Sequence, residues 1–417
     1  MSEAREGTRG TGSCLVAGGG PAGLMLGFLL ARAGVEVTVL EKHADFLRDF
    51  RGDTIHPSTL DVIAELGLLD DFLRLPHQKV HQLFAEVFGT RIPLADFSHV
   101  PTRCKFLVMM PQWDFLDFIA DQGRKLPNFR LLMQHEVTGL LRSDRGEPSG
   151  SARIAGVTAR TPAGDEQFNA DLVVAADGRR SVVRTEAALP LVDHGAPIDV
   201  LWFRLPKDAN DRDQTAGYIW PGLFFVMIDR GDYWQCAFVI PKGQGEQIRT
   251  EGLAVFRERL ASRLPFVADN LATLVDVDQL KLLEVQINRL QRWHAPGLLC
   301  IGDAAHAMSP VGGVGINLAI QDAVAAARLL AAPLREKRVT SSDLQAVQQR
   351  REWPTRVTQR AQIVIQDRVI NAVLASDGAR PVPDNPPWPL RLMQRFPVLR
   401  GIPARLVGVG VRPEHLA

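Results

Sequence analysis

Gly18-Gly19-Gly20-Pro21-Ala22-Gly23 follows the apolar run Cys14 to Ala17 and precedes an apolar stretch that Gly34 closes. A strand that ends in glycines must turn tightly into the next element. Pro21 is pre-set for a first helical position, so the spacing predicts a strand over 14–17, a helix over 21–33 and a second strand over 35–40. Two strands joined through one helix pair in parallel by a right-handed crossover. In such a unit the first glycine allows the turn and the second lets backbone N–H groups approach a pyrophosphate. Later small residues permit close helix–strand packing. Gly18, Gly20 and Gly23 stand at those places, with Pro21 and Ala22 between them. The helix N-terminus then faces the phosphates with its positive end. Glu41 ends the second strand, where an acidic residue accepts from an adenosine ribose hydroxyl. Lys42, beside it, is counted with this site.

Two further segments follow apolar runs. They are Asp177-Gly178-Arg179-Arg180-Ser181-Val182-Val183-Arg184 and Gly302-Asp303-Ala304-Ala305-His306. Each alone is a weak signal. The three in this order point to FAD, with each segment clamping one part of it.

The rest of the chain reads as α/β. Helical spacing covers 112–125, and strands are expected over 131–142 and 152–175. Two more, 223–228 and 233–240, are separated by a turn at Asp229-Arg230-Gly231-Asp232. One helix is expected over 246–264, a strongly apolar one over 315–330 and a long charged one over 341–374. A Pro-rich connector over 380–389 and short helices follow. The fold expected is a Rossmann-like cofactor-binding domain (13–75, 109–190 and 287–335) with an inserted, sheet-rich substrate domain (76–108 and 191–286). A C-terminal helical region (336–417) follows, and residues 1–12 form a disordered leader.

Composition excludes some partners. The formal net charge is +1, so bulk electrostatics offer no reason to expect nucleic acid or an anionic membrane. No run reaches the length of a membrane span, and no signal peptide is visible. Cys14, Cys104, Cys236 and Cys300 are scattered, which fits a reducing, cytoplasmic setting. His77 and His81 lack metal-type partners, so no metal site is expected.

The glycine-rich loop, the DGxxSxVR segment and the GDAAH segment together resemble the FAD-dependent aromatic hydroxylases, the family of para-hydroxybenzoate hydroxylase. The resemblance runs from about residue 13 to 330. It implies a single-component flavoprotein monooxygenase with noncovalent FAD and transient NAD(P)H. In that cycle reduced flavin captures O2 as a C4a-hydroperoxide and passes one oxygen to a small or medium aromatic or polycyclic substrate. It assigns Asp303 to the ribityl and pyrophosphate region, and Asp177 to a motif that touches FAD and NAD(P)H. Arg51 and Gln112 match positions that contact polar groups of FAD. The segment Pro310-Val311-Gly312-Gly313-Val314-Gly315-Ile316-Asn317 matches the loop that holds the isoalloxazine. A helix beginning at Gly315 would aim its positive end at that ring and stabilise reduced, anionic flavin. His306 reads as a structural part of its motif.

The aromatic-rich stretch 198–241 is the expected substrate wall. Trp220, Phe224, Gln235 and Pro310 are its candidate contacts. Period two puts Phe224, Val226 and Ile228 on one face and Phe225 and Met227 on the other; either face could line the pocket. Two rival flavoenzyme classes make different demands on the chain. A halogenase would need a WxWxIP motif and a catalytic lysine, and neither is recognisable. A reductase or desaturase of lipid-like substrates would use the basic, apolar tail around Arg391, Arg395, Arg400 and Arg405 as a membrane contact.

Overall fold

The computed structural model describes residues 12–47, 54–143, 152–207, 215–375 and 387–416. Residues 1–11 of the expected leader lie outside that range. Strand Ser13–Ala17 stands inside a six-stranded sheet. The order is His294–Ala295, Leu298–Cys300, Leu172–Ala175, Ser13–Ala17, Glu36–Glu41 and Phe129–Met133. Neighbours are parallel except at the His294–Ala295 edge. Leu172 to Ala175 are all buried, as an interior parallel strand covered on both faces must be.

Alternate residues serve alternate faces. Cys14, Val16, Val37, Val39, Leu172 and Val174 pack under the helices Pro21–Arg32, Gln112–Arg124 and Gly315–Arg335. Leu15, Ala17, Leu40, Val173 and Ala175 pack instead against Val157 and Ala159 of a three-stranded antiparallel sheet. Contrary to the sequence reading, Val311–Arg335 is long and apolar enough to cross a membrane, yet its apolar window is 67% buried. Its Ala-rich face lies in the core with Leu24 and Leu30 of the first helix.

A second sheet has seven strands. Its order is Lys281–Leu283, Ile198–Pro206, Tyr233–Pro241, Leu223–Asp229, Ala216–Trp220, Gln82–Val87 and Thr90–Asp96. All pairings are antiparallel except Ala216–Trp220 with Gln82–Val87. The single helix expected over 246–264 is two, Gly245–Glu251 and Leu253–Ala261. Gly252 adopts φ +86 between them, a conformation that ends a helix. The charged helix is Ser341–Ile365, continued by a π-helical turn Gln366–Ile370 and by Asn371–Leu374. Residues 380–386 of the expected connector lie outside the described range. Trp388 and Pro389 instead open a helix, Trp388–Arg395, where proline is well tolerated.

Candidate active site

The three sequence segments meet. Gly18 has φ +104, and a Cβ there would lie 2.4 Å from the Ala176 carbonyl oxygen and 2.9 Å from the Asp177 Cα. The first loop therefore abuts the second segment, and only glycine fits. A Cβ on Gly302 would lie 3.1 Å from that of Ala22, so the third segment abuts the first helix. Arg184 spans the other two, donating to the carbonyls of Ala304 (3.0 Å) and Arg179 (2.8 Å). Arg179 in turn lies 3.4 Å from Asp303 Oδ2.

Around this junction the backbone suits an anionic cofactor. Gly20 is the N-cap of Pro21–Arg32, no side chain caps that helix, and its first turn carries no acid. A Cβ on Gly20 would meet nothing within 4 Å, whereas one on Gly23 would lie 1.9 Å from the Gly18 carbonyl oxygen. Open space at Gly20 and close packing at Gly23 are the division of labour a pyrophosphate loop requires. Glu41 is buried, and its carboxylate accepts from the N–H of Gly19 (2.9 Å) and of His43 (3.1 Å). It thus ties the second strand to the loop. Lys42 is exposed, and Gln112 is half-buried as the first residue of its helix. Arg51 lies outside the described residues.

Asp177 lies two residues beyond the strand Leu172–Ala175, in the turn that leads to the short helix Val182–Glu186. Its Oδ2 accepts from the N–H of Val183 at 3.2 Å, and its buried Oδ1 has no partner. Burial raises its pKa against the opposing pull of Ser181 and the Val183 N–H. That unpartnered acceptor is an orphan that a hydroxyl-bearing ligand could satisfy.

The Pro310–Asn317 loop is held from two sides. Gly312 and Gly313 have φ +81 and +62, and a Cβ on Gly313 would lie 3.0 Å from Thr54 Oγ1. Asn317 is buried. Its Oδ1 accepts from the His56 N–H (3.0 Å) and the Thr59 hydroxyl (2.7 Å). Its side chain thus anchors the 54–59 segment, which leaves its backbone N–H as its means of reaching a cofactor. Gly315, Ile316 and Asn317 open an uncapped helix with no acid in its first turn. From the other side, Gln362 donates to the carbonyls of Ser309 and Val311, and Gln366 donates to the Ser309 hydroxyl. Gln359 donates to the Ala307 carbonyl. These glutamines recur at spacings of three and four on a helix that reads from sequence only as charged. That amide stripe is the signal by which they could be found. His56 carries no such local signal.

Asp322 supports the third segment from behind. It is fully buried and accepts from the Gly302 N–H (3.0 Å), His306 Nε2 (2.5 Å) and Arg351 Nε (3.0 Å). Burial alone would raise its pKa; His306, Arg351 and the Gly302 N–H more than offset that and hold it below the usual range. Glu414, 1% exposed, extends the chain through Arg351 (3.3 Å), Arg350 (2.7 Å) and Arg328 (3.4 Å). His306 is therefore a packed link, as expected. His77 and His81 bond to the carbonyls of Leu75 and Lys105, and no metal-type cluster occurs among the described residues.

The two faces of the seven-stranded sheet pack against different elements. Phe225, Met227, Trp234 and Cys236 pack with Phe256 and Leu260 of the overlying helices. On the reverse, Phe224, Val226, Ala237 and Val239 cluster with Val311 of the glycine-rich loop and with Ile370. Phe224 pairs with Val239, Val226 with Ala237 and Ile228 with Gln235, so Gln235 shares the Phe224 face. Its Oε1 accepts from Arg230 Nε at 3.0 Å. Pro310 opens the glycine-rich loop whose next residue, Val311, packs on this face. Trp220 requires a correction: it packs with the helix-covered face, because its strand presents Tyr218 and Trp220 to the side of Phe225.

A cofactor-binding α/β domain joined through a glycine-rich loop to an apolar sheet face defines an FAD-binding oxidoreductase. The family described as FAD binding domain matches residues 12–361. Over 404 residues the chain is 32% identical to 6-methylpretetramide 4-monooxygenase of Streptomyces rimosus, across 95% of this chain and 92% of that one. Over 331 residues it is 25% identical to para-nitrophenol 4-monooxygenase of Pseudomonas sp. (strain WBC-3), covering 77% of this chain and 78% of the relative. The solved structure of OxyS anhydrotetracycline hydroxylase from Streptomyces rimosus matches with a TM-score of 0.74 at 22% identity, over 97% of this chain and 77% of that one. That last likeness is one of fold. The chain belongs to the FAD-binding-domain family, and it is an FAD-dependent monooxygenase.

Proposed function

We propose that this monooxygenase hydroxylates a multi-ring aromatic substrate held between the Phe224 face of the seven-stranded sheet and the Pro310–Asn317 loop. The observation that carries this reading is the single apolar cluster joining Phe224, Val226 and Val239 to Val311. An apolar wall beside the loop suits an apolar, ring-bearing ligand. The relative named for acting on 6-methylpretetramide supports the same class.

FAD would be held by Gly18, Gly20, Pro21, Ala22, Gly23, Glu41 and Lys42, by Gln112, Asp177 and Asp303, and by the backbone of Gly315, Ile316 and Asn317. When bound, it supplies hydride acceptance from NAD(P)H and activation of O2; the protein supplies position and electrostatics. The uncapped N-terminus at Gly315 stabilises negative charge on the ring. Phe224, Val226 and Pro310 keep water from the reacting atoms. Gln235, which holds Arg230, gives the apolar wall a polar end that would orient a substrate oxygen. No residue acts as a nucleophile.

The test is a ligand panel of single-ring phenols and fused tri- and tetracyclic phenols. It is scored by stimulated NAD(P)H oxidation and by mass spectrometry for one added oxygen. Fused-ring compounds should stimulate and be hydroxylated. Turnover confined to single-ring phenols would overturn the substrate class.

A further inference from the structure

Helices Trp388–Arg395 and Gly401–Gly408 are joined by the turn Pro397–Arg400. Their inner sides are well seated. Leu390 packs with Ala85 and Ile92 at the edge of the seven-stranded sheet, and Ala404 and Val409 pack with Phe97 and Leu107. Their outer sides are bare: Trp388 is 69% exposed, Phe396 50%, Val398 82% and Ile402 66%, with Leu392 and Leu406 also exposed. Trp388, Leu392 and Phe396 recur every four residues, and so do Ile402 and Leu406. Each set is a stripe along one side of its helix. Single exposed apolar residues need no explanation; a run of large ones in one short segment marks an interaction surface.

Charge identifies the partner. Arg391, Arg395, Arg400, Arg405 and Arg412 lie between Trp388 and Pro413, a stretch with no Asp or Glu. Arg391, Arg395 and Arg405 are exposed and form no ion pair among the described residues. The net charge of the whole chain hides this local excess. A second copy of the chain is a poor occupant, because a two-fold interface sets a patch against itself and would bring arginine to arginine. Short helices with Trp, Phe and Leu on one side and arginines flanking them suit the headgroup boundary of a bilayer.

We propose that the 388–406 surface docks on an anionic lipid bilayer, with its apolar stripes in the headgroup boundary and Arg391, Arg395 and Arg405 on lipid phosphates. The second of these helices reaches the active site by its inner side. The Val407 carbonyl accepts from His56, and a Cβ on Gly312 would lie 3.7 Å from the Val407 side chain. Docking therefore brings the glycine-rich loop close to a phase in which apolar substrates dissolve.

Holoenzyme is mixed with phosphatidylcholine vesicles, with and without phosphatidylglycerol, and sedimented. It should sediment with the anionic vesicles only, and high salt should release it. Combined Arg391→Gln, Arg395→Gln and Arg405→Gln should weaken binding about a hundredfold, at about one arginine's worth each. Combined Trp388→Ser and Ile402→Ser should abolish it. All five side chains are exposed, so the flavin spectrum and thermal midpoint should not change. The proposal is overturned if the protein stays in the supernatant with both vesicles, or if neither variant changes binding. It is equally overturned if light scattering shows a dimer that the Trp388→Ser and Ile402→Ser variant dissolves.

Discussion

His56 Nδ1 donates to the carbonyl oxygen of Val407 at 2.6 Å, across 351 positions of sequence. A carbonyl can only accept, so this bond fixes the proton on Nδ1 and leaves Nε2 as a bare acceptor. That Nε2 is buried without a partner, 3.8 Å from where a Cβ on Gly313 would stand. Burial lowers the pKa of His56 from 6.5 to about 4, opposed only by the Val407 bond.

Those two values set the sign of the pH effect. The folded pKa lies below the unfolded one, so between them the unfolded chain binds a proton that the folded chain refuses. The contribution of His56 is complete above pH 6.5 and is lost as pH falls toward 4. The full swing is about 3 kcal/mol. His56→Asn keeps a donor near Nδ1 but cannot titrate there. It should be less stable than wild type near neutrality, and the gap should narrow by about 2 kcal/mol near pH 5. Urea unfolding at both values measures it. An unchanged gap would show that His56 is not held neutral.

Asp322→Asn should be among the most damaging single changes. It removes one of the two buried counter-charges of Arg351, which is 1% exposed and keeps only Glu414 at 3.3 Å; breaking a buried pair costs up to about 3–5 kcal/mol. It also weakens the bond that positions the Gly302 N–H. Asp322→Asn should lower the denaturant midpoint and raise the dissociation constant for FAD together. Retention of both at wild-type values would show that the network is dispensable.

Asp303→Ala should separate those two quantities. Asp303 is partly exposed, and its one described ion pair, to Arg179, is long. The fold therefore depends on it little. Hydrogen bonds from cofactor hydroxyls to a carboxylate are worth roughly 1.5–3 kcal/mol, so FAD should bind about ten- to a hundredfold more weakly. Fluorescence titration of the apoprotein measures this. Acid precipitation of the wild type should release all flavin to the supernatant, because nothing in the site calls for a covalent link.

The parts legible in the sequence are those that local chemistry decides. Glycines after a strand, Pro21 at a helix start and Glu41 at a strand end each announce their own role. The strand–helix–strand unit and the meeting of three segments derive from them. Residues whose role depends on distant packing stay hidden. His56 carries no local signal, and its role emerges only once Val407 and Gly313 are placed around it. Arg351 and Glu414 look like surface charges on a charged helix and tail, because nothing local marks the buried Asp322 with which Arg351 pairs. Gly252 lies in a good helical pattern, and only its positive φ reveals the break. The sheet faces are half legible. Period two separates Phe224 from Phe225, but which is covered by helices depends on layers more than about twenty residues away. Trp220 reads as a pocket residue by type alone, and its register puts it on the helix-covered side with Phe225.

That register gives the sharpest test of the substrate wall. Phe224 faces the Val311 loop, and Trp220 faces the helical layer over Phe225. Both are aromatic, lie in paired neighbouring strands and are only partly exposed. A role in general stability would make their alanine variants alike. Position at the site makes them differ. Phe224→Ala should leave the FAD spectrum nearly intact, lower product yield and divert NAD(P)H oxidation to hydrogen peroxide, because the apolar wall that excludes water is breached. Trp220→Ala should cost roughly 3 kcal/mol of stability while keeping the ratio of product to peroxide at the wild-type value. Product, peroxide and NAD(P)H consumption are measured with one identified substrate, alongside stopped-flow reduction with and without it. If substrate binding gates reduction, Phe224→Ala should also shrink the difference between those two rates. Equal peroxide leakage in both variants would remove the Phe224 face from the active site.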